Sequence, residues 1–397
     1  MHIITIVYPT DPLGIVPGGT DTCIRDILRC APDDMEMRLV GVTSDSLSRP
    51  VGRWHNCEIS GKSFKFYPVL SVDNLKHQMR IPLSAKFTLR LLFCRKILKD
   101  SDIIQFNRIE PALATIGISI PKLLIIHQNM NVLKNKSSDI RWRYFPYLYF
   151  KIEEYIIRRM KEIFIVREDA VNDYKQRFPE MSNKINFLPT WMNPELCYYE
   201  NRQQKVMMRK NLFENKKISL NGVMMIFVGR FDHQKNPLLL IDSIAEVFKK
   251  KSTGSIVLIG DGVLKSEIEK RIQQHNINDR AFLLGALSQD DVSGFLRASD
   301  LLLLSSAYEG MPRCVVESLG CGVPVVTTNV GEVRLVVEDG VNGYIVEENS
   351  VTCFSAAIIK ALSNLNKLSG QPCLDAVRTY RADTILKILY DTYRRYA

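Results

Sequence analysis

What the chain lacks narrows its class before any motif is considered. No apolar run approaches the roughly 20 residues that a membrane-spanning helix needs; LLLLSSA and PKLLII are each cut by polar residues or proline. The opening MHIITIVYP has no basic leader and its apolar stretch stops at Pro9. It therefore reads as a first strand, not a signal peptide, and a cytosolic protein is expected. The nine cysteines are scattered and odd in number, with no Cys-x-x-Cys pair, so neither a disulfide framework nor a zinc cage is signalled and they read as small buried hydrophobes. No G-x-G-x-x-G follows a strand-like run, and GDG at 260–262 is too short a substitute, which argues against an NAD-linked oxidoreductase. There is no repeat of 20 to 50 residues, no low-complexity tract and no nucleic-acid-binding module.

What is present is an alternation. HIITIVY, MRLVGVT, DIIQFN, KLLIIHQ and EIFIV in the first half, and VMMIFVGR, SIVLIGDG, AFLLGAL, DLLLLSS, PVVTTN and GYIVE in the second, are apolar runs of strand length. Segments with helical periodicity such as PLLLIDSIAEVFKK separate them. Fully apolar strands alternating with helices indicate parallel sheets covered on both faces, and 397 residues exceed what one core usually serves. The reading is two doubly wound, Rossmann-like α/β domains: residues 1–190, and residues 191–374 after a proline-interrupted joint near Pro189 and Pro194. A last helix over 375–397 is expected to pack back on the first domain.

In such sheets ligands bind beyond the carboxyl ends of the strands. That rule selects Gly18 and Gly19 after the first strand, His127 after KLLII, Arg230 and Lys235 after MMIFVG, Gly260 to Gly262 after SIVLI, and Glu309 to Arg313 after DLLLLSS. All are expected to face a cleft between the domains. Arg230 and Lys235 share one loop and suit a diphosphate. A helix starting near Pro312 adds backbone amides and a positive dipole end. Glu309 then lies in the loop and Glu317 on the second helical turn, on the order of 10 Å apart at the rise of a helix. Retaining glycosidase pairs stand roughly 5 Å apart, so this spacing fits two acceptors gripping opposite ends of one extended ligand. For either glutamate alone, a capping residue at Glu309 or an exposed helical residue at Glu317 is the simpler account.

The elements EGMPRCVVE, GRFDHQKN, PGGT, the His in IIHQNM, and the downstream GEV and DGVNGYIV together resemble the retaining, GT-B-fold nucleotide-sugar glycosyltransferases of family four. The resemblance is strongest over roughly residues 225–347. It implies that Glu309 contacts the donor sugar, Glu317 the ribose, and Arg230 and Lys235 the diphosphate. It implies further that Gly18 and Gly19 approach the donor phosphate and the acceptor, and that His127 lies beside the reacting sugar, with Gly310, Met311, Pro312 and Arg313 completing the donor contacts. Met311, Pro312 and Arg313 stand where a small residue often follows the Glu-Gly pair, Gln128 follows His127 where an acidic residue is frequent, and QFNR at 105–108 lacks the histidines often found there. The implied activity is a hexosyltransferase: a nucleotide-diphosphate sugar gives its hexose to a glycan or polyprenyl-linked acceptor in surface polysaccharide, lipopolysaccharide or glycolipid synthesis. No nucleophile is evident, so the transition state would be stabilised by charge in a water-poor site.

No cofactor or metal is expected. Asp100 and Asp102 form DSD but precede IIQFN, at the sheet end away from the ligand edge. Charge is uneven: residues 1–50 hold four basic and seven acidic residues, and residues 51–150 hold sixteen basic and six acidic. RIPLSAKFTLRLLFCRKILK and RWRYFPYLYFKIEEYIIRRMK mix these cations with Leu, Phe, Trp and Tyr, as helices lying on an anionic bilayer do; two core helices with wet basic faces fit equally well. Peripheral attachment to the cytosolic face of the inner membrane is the expectation, with no nucleic-acid partner. A non-catalytic binding subunit of the same fold is the competing reading, although such a subunit would be expected to lose members of the set Arg230, Lys235, Glu309 and Glu317.

Overall fold

The computed structural model describes residues 1–14, 18–72, 82–127, 145–214, 222–250 and 254–397. The chain divides into two compact units. One holds Met1–Val16, Thr20–Pro189 and Asp383–Ala397; the other holds Thr190–Ala382 with the short Pro17–Gly19 stretch.

The first unit is built on strands β1 (His2–Val7), β2 (Met35–Thr43), β3 (His55–Ile59), β4 (Lys62–Ser71), β5 (Ile103–Phe106), β6 (Lys122–Ile126), β7 (Glu162–Ile165) and β8 (Ile185–Phe187), in the spatial order β3-β4-β2-β1-β5-β6-β7-β8. Its pairings are parallel except that of β3 with β4. These two form a hairpin that the apolar-run reading did not anticipate. The reason is local: β3 alternates exposed and half-buried residues, so it carries no apolar run. Its turn is Ser60-Gly61, both at positive φ, the backbone that two-residue hairpins require.

The second unit contains β9 (Met224–Val228), β10 (Ser255–Ile259), β11 (Ala281–Gly285), β12 (Leu301–Leu304), β13 (Val325–Thr328) and β14 (Gly343–Val346), a parallel sheet ordered β11-β10-β9-β12-β13-β14. Successive residues of each strand feed opposite cores. Ile226, Leu302 and Leu304 pack with Val315, Val316 and Leu319 on one face, while Phe227, Leu301 and Leu303 pack with Leu240, Ile244 and Phe354 on the other. Burial on both faces explains why these strands read as unbroken apolar runs.

The sequence-based helix over 375–397 is shorter in the structure. Gln371–Ala376 is its own short helix, a 3-10 turn covers Arg378–Tyr380, and only Ala382–Tyr396 forms the last helix. The break follows from a pairing the periodicity did not show: Met192 and Arg381 form a parallel bridge, with Met192 N–H donating to Tyr380 O and Ala382 N–H to Met192 O, so residues up to Ala382 stay with the second unit. The helix belongs to the first unit. Leu386, Leu389, Tyr390 and Tyr393 are buried at helical spacing. Tyr390 Oη donates to Ile27 O at 2.9 Å, Tyr393 Oη to Gln105 Oε1, and Tyr396 Oη to Glu162 Oε2 at 2.8 Å.

Replacing a fully buried leucine leaves a cavity as well as a lost transfer term. Leu389→Ala is expected to destabilise the first unit by about 2–5 kcal/mol, read as a lowered urea midpoint. Ile388→Ala, on the exposed side of the same helix, is expected to stay within about 0.5 kcal/mol of the parent.

Candidate functional site

In both sheets the direction of strand addition reverses once, between β1 and β5 in the first and between β9 and β12 in the second. Loops leaving the carboxyl ends of the two strands at such a reversal diverge, and that leaves room for a ligand. In the second unit those two loops carry Arg230 with Lys235, and Glu309 through Pro312.

The first of them is closely held. Gly229 N–H donates to Ile259 O and Phe231 N–H to Asp261 O, each at 3.0 Å, so the loop lies against the one following β10. Only glycine permits this: a Cβ on Gly260 would stand 1.8 Å from Gly229 O, and one on Gly262 would stand 2.4 Å from Phe231 O. The GDG motif is therefore a backbone joint under the Arg230 loop. Asp232 Oδ1 accepts from Lys235 N–H at 3.0 Å, an Asx-type turn, and Ser305 Oγ bonds the carbonyl oxygens of Lys235 and Asn236 at 3.0 and 2.9 Å.

These constraints deliver the Lys235 ammonium to Glu309 Oε1 at 2.6 Å, with side chains only 15% and 9% exposed. Burial disfavours the charged ammonium, but the Glu309 carboxylate outweighs it and raises the Lys235 pKa above its ordinary value. Arg230 is more open; it meets Asp232 at 3.1 Å and Gln234 Oε1 at 3.0 Å. Gln234 in turn donates from Nε2 to Tyr308 O at 3.2 Å, and its own carbonyl accepts from Ala307 N–H at 2.7 Å. Arg230, Lys235 and Glu309 thus form one connected edge.

Helix Arg313–Gly320 follows, with Pro312 at its N-cap in an extended conformation. Arg313 is the first helical residue, and its Nε donates to Glu317 Oε1 one turn on at 2.6 Å, both side chains buried. That i,i+4 spacing was visible in the sequence, yet the pair was read as two separate contacts. Cys314 lies among these charges. Burial pushes its thiol up to about 12, with Lys235 pulling the other way, so it is an uncharged and unreactive wall residue. Met311 is buried, and its carbonyl accepts from Thr190 Oγ1 at 3.2 Å. The GEV motif also has a structural basis: Gly331 has φ of 53°, a Cβ there would stand 1.7 Å from Gly310 O, and Glu332 N–H donates to that oxygen at 2.9 Å. Asp232, Gln234 and Gly331 lie in the GRFDHQKN and GEV stretches, but their bracing contacts are not legible in the sequence.

The remaining residues are in other parts of the chain. Gly18 directly precedes helix Gly19–Arg29, which Gly19 opens. His127 follows β6, half-buried, with Nε2 at 3.0 Å from Asn107 Oδ1. Pro17 and Gln128 lie outside the described residues. Asp102 of the DSD sequence serves the start of β5, its Oδ2 accepting from Ile3 N–H at 2.7 Å. Among the described residues no group of three or more His, Cys, Asp or Glu is placed to hold a metal ion.

The two largely parallel-sheet α/β units match the fold of GT-B glycosyltransferase structures. Anabaena Alr3699/HepE in complex with UDP-glucose is similar with a TM-score of 0.73 at 17% identity, covering 100% of both chains. Residues 208–369, within the second unit, match the family Glycosyl transferases group 1. The chain is 30% identical over 258 residues to the uncharacterized glycosyltransferase MJ1178 of Methanocaldococcus jannaschii, covering 64% of this chain and 62% of the relative. It is 29% identical over 143 residues to the UDP-Gal:alpha-D-GlcNAc-diphosphoundecaprenol alpha-1,3-galactosyltransferase of Escherichia coli, covering 35% of this chain and 36% of the relative. The aligned part thus spans less than two thirds of either relative.

Removing one member of a buried ion pair costs about 3–5 kcal/mol, whereas replacing both by apolar groups of similar size is often neutral. Lys235→Met and Glu309→Met are each expected to destabilise the second unit by that order. The double variant is expected to recover most of the loss in a denaturant double-mutant cycle. Additive losses would show that the two groups are not energetically paired.

Proposed function

We propose that this protein is a retaining glycosyltransferase that moves a hexose from a nucleoside-diphosphate sugar to a glycan or polyprenyl-linked acceptor in surface polysaccharide or glycolipid synthesis. The observation that carries the reading is the Lys235–Glu309 pair, which joins a cation and a carboxylate from the two loops that flank the strand reversal. A bound diphosphate competes with Glu309 for Lys235, and Lys235, Arg230 and the first-turn amides of helix Arg313–Gly320 take up the charge of the leaving group. Glu309, relieved of part of its partner, then accepts hydrogen bonds from donor-sugar hydroxyls. Glu317, oriented by Arg313, takes the ribose. Gly310, Met311 and Pro312 line the donor by backbone, Gly18 and Gly19 approach the phosphates, and His127 touches the reacting sugar.

In the step itself the bond from the anomeric carbon to the phosphate oxygen breaks, and the nucleoside diphosphate departs with the electron pair. The acceptor oxygen bonds to the same face of that carbon, and its proton passes to the departing phosphate. Neither a resident cofactor nor a metal is part of this proposal; the two cations and the helix terminus carry the charge. The Escherichia coli relative bears a name that specifies a UDP-sugar donor and a lipid-diphosphate acceptor, and HepE holds UDP-glucose. Both support the donor class proposed here, and the Escherichia coli relative's name supports the acceptor class.

A lipid-linked acceptor gives meaning to an exposed face of the first unit. Helix Leu83–Cys94 buries Phe87 and Leu91 but leaves Leu89, Leu92 and Phe93 exposed, and helix Pro146–Ile157 buries Tyr149, Ile156 and Ile157 but exposes Tyr147 and Leu148, with Phe145 just before it. Both helices pack on the short helix Ile109–Ala112, and Arg90, Arg95, Lys96 and Lys99 are exposed beside them. Residues 80–81 and 141–144 of these stretches lie outside the described residues. No helix among the described residues is long and apolar enough to cross a membrane. The proposed occupant of this face is an anionic cytosolic leaflet, which matches its charge.

In a thermal-shift series with UDP-, GDP-, ADP- and dTDP-sugars without added metal, one nucleotide class is expected to raise the melting temperature. Arg230→Ala and Glu317→Ala are expected to abolish the shift; a shift retained in both would place the ligand elsewhere. For the surface, flotation with anionic liposomes is expected at low salt and to weaken at high salt. Phe93→Ser with Phe145→Ser is expected to reduce it several-fold, and no flotation at either salt would remove the membrane partner.

A further inference from the structure

Beside the reversal point of the first sheet, the residues just past β5 and β6 are Asn107 and His127. Parallel pairing, with Ile104 opposite Lys122 and Phe106 opposite Leu124, brings both strands to the same edge. Asn107 is only 5% exposed, and its Nδ2 has no hydrogen-bond partner among the described residues, so its amide spends its Oδ1 on the His127 ring at 3.0 Å. A carbonyl oxygen only accepts, so the ring nitrogen facing it must carry a proton. Burial is the cause that pushes the His127 pKa down to about 4, so at neutral pH the ring holds a single proton. The next residue, Arg108, is engaged by Glu110 through two hydrogen bonds, at 3.2 and 3.0 Å.

We propose that Asn107 is a positioning residue: it locks the His127 imidazole in its Nε2–H tautomer and leaves Nδ1 as a hydrogen-bond acceptor for a hydroxyl of the bound carbohydrate. The identity of that ligand rests on the function proposed above; the tautomer does not. An aspartate at position 107 would select the same tautomer but would draw a second proton onto the ring, because an adjacent carboxylate favours the imidazolium. An amide orients the ring without charging it. A ring held this way takes a hydroxyl donor and disfavours a bare anionic oxygen at Nδ1, and it adds no positive charge of its own to the reaction.

The test uses the full chain with 15N-labelled histidine, the His127 resonances being assigned by their loss in His127→Gln. The parent is expected to show the Nε2–H tautomer at neutral pH and to gain no second proton until about pH 4. Asn107→Asp is expected to keep the tautomer and raise the ring's pKa by about 1–3; Asn107→Leu is expected to give a mixture of tautomers. A parent ring protonated on Nδ1, or an Asn107→Leu ring unchanged from the parent, would overturn the inference. In nucleotide-sugar transfer, Asn107→Leu is expected to lower kcat about 10–100-fold, as loss of an orienting partner does, with donor KM and the nucleotide-induced melting shift retained. A loss of the melting shift equal to the loss of kcat would assign Asn107 a purely structural role. Absence of any transfer in the parent would remove the proposed function while leaving the tautomer measurement decisive for this pair.

Discussion

A lysine ammonium buried against a carboxylate is the constraint around which the second unit's polar edge is organised. Lys235 cannot stay charged out of water without Glu309, and the two come from loops that leave neighbouring strands β9 and β12. Bringing the loops together requires Asp232 to turn the chain, Ser305 to hold the Lys235 and Asn236 carbonyls, and glycines where backbones nearly touch at positions 260, 262 and 331. The chemistry expected of this edge therefore depends on backbone approach as much as on the charged groups themselves.

The first unit repeats the device with different means. Its loop after β1 is anchored by Asp11, whose Oδ2 accepts from Ser44 N–H at 2.8 Å and Ser44 Oγ at 2.7 Å and meets Arg49 at 3.1 Å. Burial alone would raise the Asp11 pKa, but these hydrogen bonds and Arg49 bring it below the ordinary carboxylate value. At the same sheet edge an amide orients a histidine. Both edges thus combine ion pairs with hydrogen bonds, Lys235 with Glu309 in the second unit and Arg49 with Asp11 in the first.

Much of the architecture was legible because both faces of a parallel sheet are buried, so strands such as LLLL at 301–304 announce themselves without alternation. The hairpin of β3 and β4 was not, since an edge strand with one wet face lacks that signature and only Ser60-Gly61 marked its turn. The last helix was anticipated in kind, but its start was hidden because the Met192 to Arg381 bridge joins residues far apart in sequence. Among site residues, Arg230, Lys235, Glu309 and Glu317 could be chosen from their places after apolar runs. Their pairings could not be; Arg313 and Glu317 stand at i,i+4 spacing, yet the sequence reading gave them separate contacts.

The amino-acid sequence by itself determined the two-sheet α/β plan, the loops that follow strand carboxyl ends and the residue types placed in them, because burial pattern and turn chemistry are local properties. Only the tertiary structure decided which charges neutralise one another, which glycines exist to let carbonyls approach, and that Asn107 faces His127. Those outcomes depend on strand order, and strand order is settled by long-range packing that no stretch of sequence contains.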